Sequence, residues 1–119
     1  MCGIAGFAQL AVGDDEAARL LGAMTAALAH RGPDGDGRYW RGGVGLAHTR
    51  LAIVDVARGV QPMHAADVTI VYNGEVYNAP ALRAELAEDG ERFETTSDTE
   101  VVLKSYLRDP DGFEARLVG

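Results

Sequence analysis

The sequence predicts a mixed α+β fold whose strands mostly follow one another along the chain. Three observations carry this. An apolar strand begins almost at the N-terminus, apolar residues recur at helical spacing between Leu20 and Leu28, and Ser97-Asp98-Thr99-Glu100 opens a last helix with a capping signature.

In chain order, Ile4 to Leu10 reads as a short strand. Asp14, Asp15 and Glu16 suit the positive end of a helix, which the stripe Leu20, Leu21, Met24 and Leu28 carries to about Ala29 as a core-facing element. Arg31-Gly32-Pro33-Asp34-Gly35 stops it, because proline cannot continue a helix and the glycines allow a tight turn. Strands are predicted at Arg38 to Arg41, Val44 to His48 and Leu51 to Val54, with a loop from Asp55 to Pro62. Gly35-Asp36-Gly37 and Gly42-Gly43-Val44-Gly45 read as turn glycines, since no strand-to-helix context makes either a phosphate cradle. Val68 to Tyr72 is rich in β-formers, and Asn73-Gly74 looks like a hairpin turn before Glu75 to Tyr77. Asn78 is placed to cap a helix with Pro80 in its first turn, running through Leu82 and Leu86 to about Asp89. Ser97 to Glu100 then starts the helix carrying Val101, Val102 and Tyr106, and Asp109-Pro110-Asp111-Gly112 ends it. The order is β-α-β-β-β-β-α-α, without repeats, low-complexity tracts or an interdomain linker.

Composition excludes several functions. A chain of 119 residues suits one domain or a piece of one, and 47% hydrophobic with 24% charged residues is a globular balance. A net charge of −7 with scattered cations argues against nucleic acid and anionic membrane as partners. No apolar run approaches a membrane span, and the N-terminus lacks the basic region of a secretory signal. With one cysteine there is no internal disulfide framework. A cytoplasmic setting is expected. His30, His48 and His64 lack metal-ligand spacing.

The chemistry gathers at Cys2. Removal of Met1 leaves one residue bearing both a thiol and a free α-amine. An α-amine ordinarily titrates at about 7.7–8.0, so it is partly neutral near pH 7 and can accept the thiol proton. A nucleophile activated by its own N-terminal amine is an established arrangement. From position alone, the favoured reading of Cys2 is a small apolar residue starting a strand.

Six blocks bear on that choice: Met1-Cys2-Gly3-Ile4-Ala5-Gly6-Phe7, Arg31-Gly32-Pro33-Asp34-Gly35, His48-Thr49-Arg50-Leu51-Ala52-Ile53-Val54-Asp55, Gln61-Pro62-Met63, Tyr72-Asn73-Gly74-Glu75-Val76-Tyr77-Asn78 and Ser97-Asp98-Thr99-Glu100-Val101. In this order they resemble the class II, N-terminal nucleophile glutamine amidotransferases. The proline after Arg31-Gly32 and Leu51 after His-Thr-Arg are similar to the asparagine synthetase type.

The resemblance implies an αββα sandwich of the N-terminal nucleophile hydrolase type, here incomplete at its C-terminal side, with residues 1–119 as a partial amidotransferase domain and no synthetase domain. It implies Cys2 as nucleophile and Asn73 and Gly74 as oxyanion donors. Arg50 would clamp the α-carboxylate of L-glutamine, and Asp98 and Glu75 would receive its ammonium group. Each has a plainer reading. Arg50 could be a surface ion-pair partner, Asn73-Gly74 a hairpin turn, and Asp98 a helix-capping acid. His48 is not read as a general base, since Cys2 carries its own amine. Glutamine hydrolysis needs no cofactor in this family; ATP and magnesium belong to the synthetase domain, which amidates an acid such as aspartate. A homodimer is compatible. A glutamine-binding module or remnant without turnover, and a class II amidotransferase with another acceptor, are the competing readings.

Overall fold

The computed structural model describes residues 1–52 and 57–119. The chain is mixed α and β, and divides into two compact units.

The first unit comprises residues 1–52, 60–62 and 71–73. Its centre is an antiparallel sheet of β1 (Gly3–Phe7), β2 (Gly35–Arg41) and β3 (Val44–Arg50), in the order β1-β3-β2. The turn between β2 and β3 is Gly42-Gly43, with φ of 57° and 81°, the left-handed values that a tight two-residue hairpin needs. Helix α1 (Asp14–Leu28) covers one sheet face through Ala17, Leu21 and Thr25, which are buried at four-residue spacing. Leu20, Met24 and Leu28, expected as core, flank that stripe and are half-buried. Thr49 Oγ1 donates to the Leu28 carbonyl at 3.1 Å, and Trp40 Nε1 to Asp14 Oδ1 at 3.0 Å, tying strands β3 and β2 to the two ends of α1. On this face Gly45 lies beneath the Phe7 ring, 2.4 Å from where a Cβ would be, and Phe7 meets Trp40 at 5.5 Å between centroids.

Several strand limits differ from expectation. β1 ends at Phe7, not Leu10, although the Leu10 N–H still reaches the Gly43 carbonyl at 3.2 Å. β2 begins at Gly35, so Gly35-Asp36-Gly37 is strand and not turn. β3 continues to Arg50, and Leu51 and Ala52 carry no strand; the remainder of the strand expected at Leu51 to Val54, with the start of the loop expected from Asp55, lies outside the described residues.

The second unit holds residues 63–70 and 74–119, with a further segment at 53–59 of which 57–59 are described. β4 (Met63–Ala65) and β5 (Val68–Ile70) form a short antiparallel hairpin, turned at Ala66 with φ of 51°. Helices α2 (Ala79–Glu88) and α3 (Asp98–Arg108) pack together, followed by a 3-10 turn at Phe113–Arg116. Val76, Ala79, Leu82, Leu86, Val101, Val102 and Leu103 form its core. Burying a leucine such as Leu86 or Leu103 contributes about 1.5–3 kcal/mol. Tyr106 packs edge-on against Phe113 at 5.4 Å.

Three expectations fail in this unit. β5 ends at Ile70, and Glu75 to Tyr77 is not a strand, so the hairpin expected at Asn73-Gly74 is absent. The competing partners are visible: the Val76 N–H goes to Asp98 Oδ2 at 3.0 Å and the Tyr77 N–H to the Val118 carbonyl at 2.7 Å. Asn78 sits at the N-cap of α2 but makes no side-chain cap bond. Its amide donates to the Arg116 carbonyl at 2.8 Å and accepts from the Val118 N–H at 2.9 Å, pinning the C-terminal segment instead. The capping box of α3 is half formed. Ser97 Oγ accepts from the Thr99 N–H at 3.2 Å, while Glu100 turns to the loop before it.

Candidate active site

Strand alternation decides which side chains share a face. Thr49 points at α1, and Gly3 does too, since a Cβ there would lie 3.1 Å from Leu28 Cβ. Their neighbours Cys2, His48 and Arg50 therefore belong to the opposite face. β1 and β3 pair Gly3 with Thr49, so one step further Cys2 lies across from Arg50. The sequence-predicted nucleophile and carboxylate clamp are brought together by register alone.

Cys2 is half-buried, and its sulfur is held by backbone: Sγ accepts from the Leu51 N–H at 3.3 Å and faces the Leu51 carbonyl at 3.7 Å. Met1, ahead of it, is 75% exposed and open to removal. Ile4, across from His48, is 47% exposed, so this face opens to solvent on its β1 side.

The loop read from sequence as a helix stop, and as one block of the resemblance, is the scaffold of this corner. Arg31 Nε donates to the Cys2 carbonyl at 3.1 Å. Gly32 packs so tightly on β3 that a Cβ would fall 2.4 Å from the Arg50 nitrogen, which no side chain could survive. Pro33 bridges Arg50, the Asp34 N–H donates to the Arg50 carbonyl at 2.9 Å, and Asp34 Oδ2 accepts from the Ala52 N–H at 2.8 Å. Four consecutive residues thus hold the Cys2, Arg50 and Ala52 backbones. Sequence reasoning missed this role for Arg31 and Asp34. The signal was available, since a stop needs only proline and glycine and leaves the flanking Arg and Asp unexplained.

His48 is a further residue to which the sequence assigned no task. It is 1% exposed, and among the described residues neither ring nitrogen has a hydrogen-bond partner. An unsatisfied buried polar group costs about 1–3 kcal/mol. Burial pushes the ring's pKa below its ordinary value; the Tyr72 backbone opposes the shift, and the Arg50 charge adds to it. The ring is neutral at pH 7. Gln61, 7% exposed, accepts the Tyr72 N–H on its Oε1 at 2.5 Å.

Asn73 follows Tyr72 in the first unit, whereas Gly74, Glu75 and Asp98 belong to the second. There Asp98, first residue of α3, uses Oδ2 on the Val76 N–H, two residues beyond Gly74. Its turn is rigidly built. Glu100, 5% exposed, accepts from the Glu94 N–H at 2.9 Å and from the Thr95 N–H and hydroxyl at 2.7 Å each. Burial pushes the Glu100 carboxyl up, but these donors, with Arg83 nearby, outweigh it and hold its pKa below the usual range. The Arg83 guanidinium donates to the Thr95 and Ser97 carbonyls at 2.8 and 2.9 Å and lies 4.2 Å above the Phe93 ring centre. Among the described residues there is no cluster of His, Cys, Asp and Glu suited to a metal ion, and no helix long and apolar enough to cross a membrane.

Comparison with known proteins bears on these residues. A family model described as a glutamine amidotransferase domain matches residues 1–119. Asparagine synthetase (glutamine-hydrolyzing) 3 of Bacillus subtilis is 43% identical over 111 residues, which cover 90% of this chain and 18% of the relative. Asparagine synthetase (glutamine-hydrolyzing) 1 of Arabidopsis thaliana is 44% identical over 110 residues, covering 89% of this chain and 18% of the relative. Asparagine synthetase B (glutamine-hydrolyzing) of Escherichia coli is 41% identical over 108 residues, covering 89% and 19%. The chain spans about a fifth of the length of these curated relatives.

Proposed function

The chain belongs to the glutamine amidotransferase domain family, and from that premise we propose that it releases ammonia from L-glutamine through a thioester on Cys2. The supporting observation is the strand register that sets Cys2 across from Arg50 on one face of the sheet. A guanidinium binds a carboxylate through two parallel hydrogen bonds, so Arg50 fixes the head group of the substrate while its side-chain amide reaches the sulfur.

Once Met1 is removed, the Cys2 α-amine takes the thiol proton and the sulfur attacks the carboxamide carbon. The resulting oxyanion is received by the Asn73 side-chain amide and the Gly74 N–H; one such donor typically contributes about 2.7–4 kcal/mol of barrier lowering. The carbon–nitrogen bond breaks as the protonated α-amine returns its proton to the leaving nitrogen, and ammonia departs. Water then attacks the γ-glutamyl thioester, giving glutamate and free Cys2. Asp98 and Glu75 are assigned to the substrate ammonium group, Asp98 through the oxygen not engaged by Val76. The finer fold proposed is the αββα sandwich of N-terminal nucleophile hydrolases, of which these residues form part. The names of the relatives extend the proposal to a glutamine-hydrolysing asparagine synthetase; an aspartate acceptor, with ATP and magnesium acting outside these residues, is what the resemblance implies.

Replacing Cys2 by Ala in the full-length protein is expected to lower glutamine hydrolysis by at least about 10³-fold, read as ammonia or glutamate released. Turnover within a few fold of wild type would refute the assignment.

A further inference from the structure

The proposed reaction leaves a buried histidine and the Gln61-Pro62 block without a task, and the two lie over the same part of the sheet. β2 and β3 pair Gly37 directly with His48, so a Cβ on Gly37 would stand on the His48 side. That position is filled by backbone: the Gln61 carbonyl oxygen lies 1.9 Å from where the Cβ would be, and Pro62 Cδ 2.8 Å. Only glycine at 37 lets Gln61 descend this far onto the sheet. From there its Oε1 takes the Tyr72 N–H. The Tyr72 backbone also acts on the His48 ring, whose two nitrogens are buried and unmatched among the described residues. Tyr72 immediately precedes Asn73, the side chain assigned to the oxyanion.

We propose that Gln61 and His48 form a clamp on the Tyr72 backbone that aims Asn73: Gln61 holds the N–H permanently, and the His48 N–H takes up the Tyr72 carbonyl when the oxyanion forms. Both are positioning residues, acting through Asn73 and touching no substrate. The inference rests on the reading of Cys2 as nucleophile. Its physical basis is that native proteins rarely leave buried ring nitrogens unmatched, and a bond made only in the transition state lowers the barrier without tightening substrate binding. Burial keeps the ring neutral, so a donor and not a charge is what it offers.

The test compares wild type, His48→Leu and His48→Gln in the full-length protein. One readout is kcat and KM for glutamine hydrolysis. The other is the rate of Cys2 alkylation by iodoacetamide, a direct displacement at carbon that forms no oxyanion. His48→Leu is expected to lower kcat about 10- to 100-fold with KM within about threefold. Alkylation should stay at the wild-type rate, and His48→Gln, which keeps an amide donor, should recover most of kcat. Unchanged kcat in His48→Leu would overturn the clamp. So would parallel losses in kcat and alkylation, which assign His48 to folding, or equal losses in both variants. Wild-type protein that fails to hydrolyse glutamine would sink the nucleophile reading itself, a separate outcome.

Discussion

Glu100 and His48 are both buried ionisable side chains, one in each unit, and the protein treats them oppositely. Glu100 is saturated: two backbone N–H groups and a hydroxyl point at its carboxylate, and the loop entering α3 is wrapped around it. His48 is enclosed as deeply and, among the described residues, bonded to nothing. Removing a saturated group strands its partners, whereas removing an unsatisfied one strands none. The contrast separates a group that builds the fold from one that is held ready.

The largest expected effect on stability is from Glu100→Ala, which takes the acceptor from the part-buried Glu94 and Thr95 N–H groups and should cost about 2–5 kcal/mol in denaturant unfolding. A loss below about 1 kcal/mol would show the carboxylate to be dispensable and erase the contrast. His48→Leu, by the same logic, should leave stability within about 1 kcal/mol of wild type or raise it, because the penalty of the unmatched ring disappears.

The smallest effect is in pH dependence. Both groups titrate below their ordinary values when folded, so on acidification the unfolded chain takes up the proton first and stability falls with pH. For His48 the fall begins near its ordinary value, about 6.5, and for Glu100 near about 4.3. Unfolding free energy measured from pH 7.5 to 5.5 should therefore decline in wild type and decline less in His48→Leu. Equal slopes would mean that the ring titrates alike in the folded and unfolded chain.

The legibility of the molecule divides along similar lines. Helix α1 starts at Asp14 as its acidic residues require, and α2 and α3 begin where Pro80 and Ser97 place them, because these signals act within one turn of backbone. The strand β4 (Met63–Ala65), in contrast, falls just beyond the loop expected from Asp55 to Pro62, where no strand was expected. Asn73-Gly74 has every local mark of a hairpin. It does not form one because Asp98 and Val118, distant in sequence, take the Val76 and Tyr77 N–H groups. Cys2 and Arg50 could be named from their motifs, yet their meeting depends on the β1–β3 register, and no pattern along either strand reveals it. Arg31, Asp34 and Gln61 were harder still: each acts on another residue's backbone, and such contacts have no sequence spacing of their own.

The proposed reaction requires the Cys2 sulfur, freed of Met1, to carry the γ-glutamyl group. Brief mixing of full-length protein with glutamine, an acid quench and mass analysis of the N-terminal peptide tests this directly. The predicted result is a peptide beginning at Cys2 that carries a γ-glutamyl adduct on its sulfur and loses it on prolonged incubation. Ammonia release by protein that retains Met1, with Cys2 unmodified throughout, would contradict it.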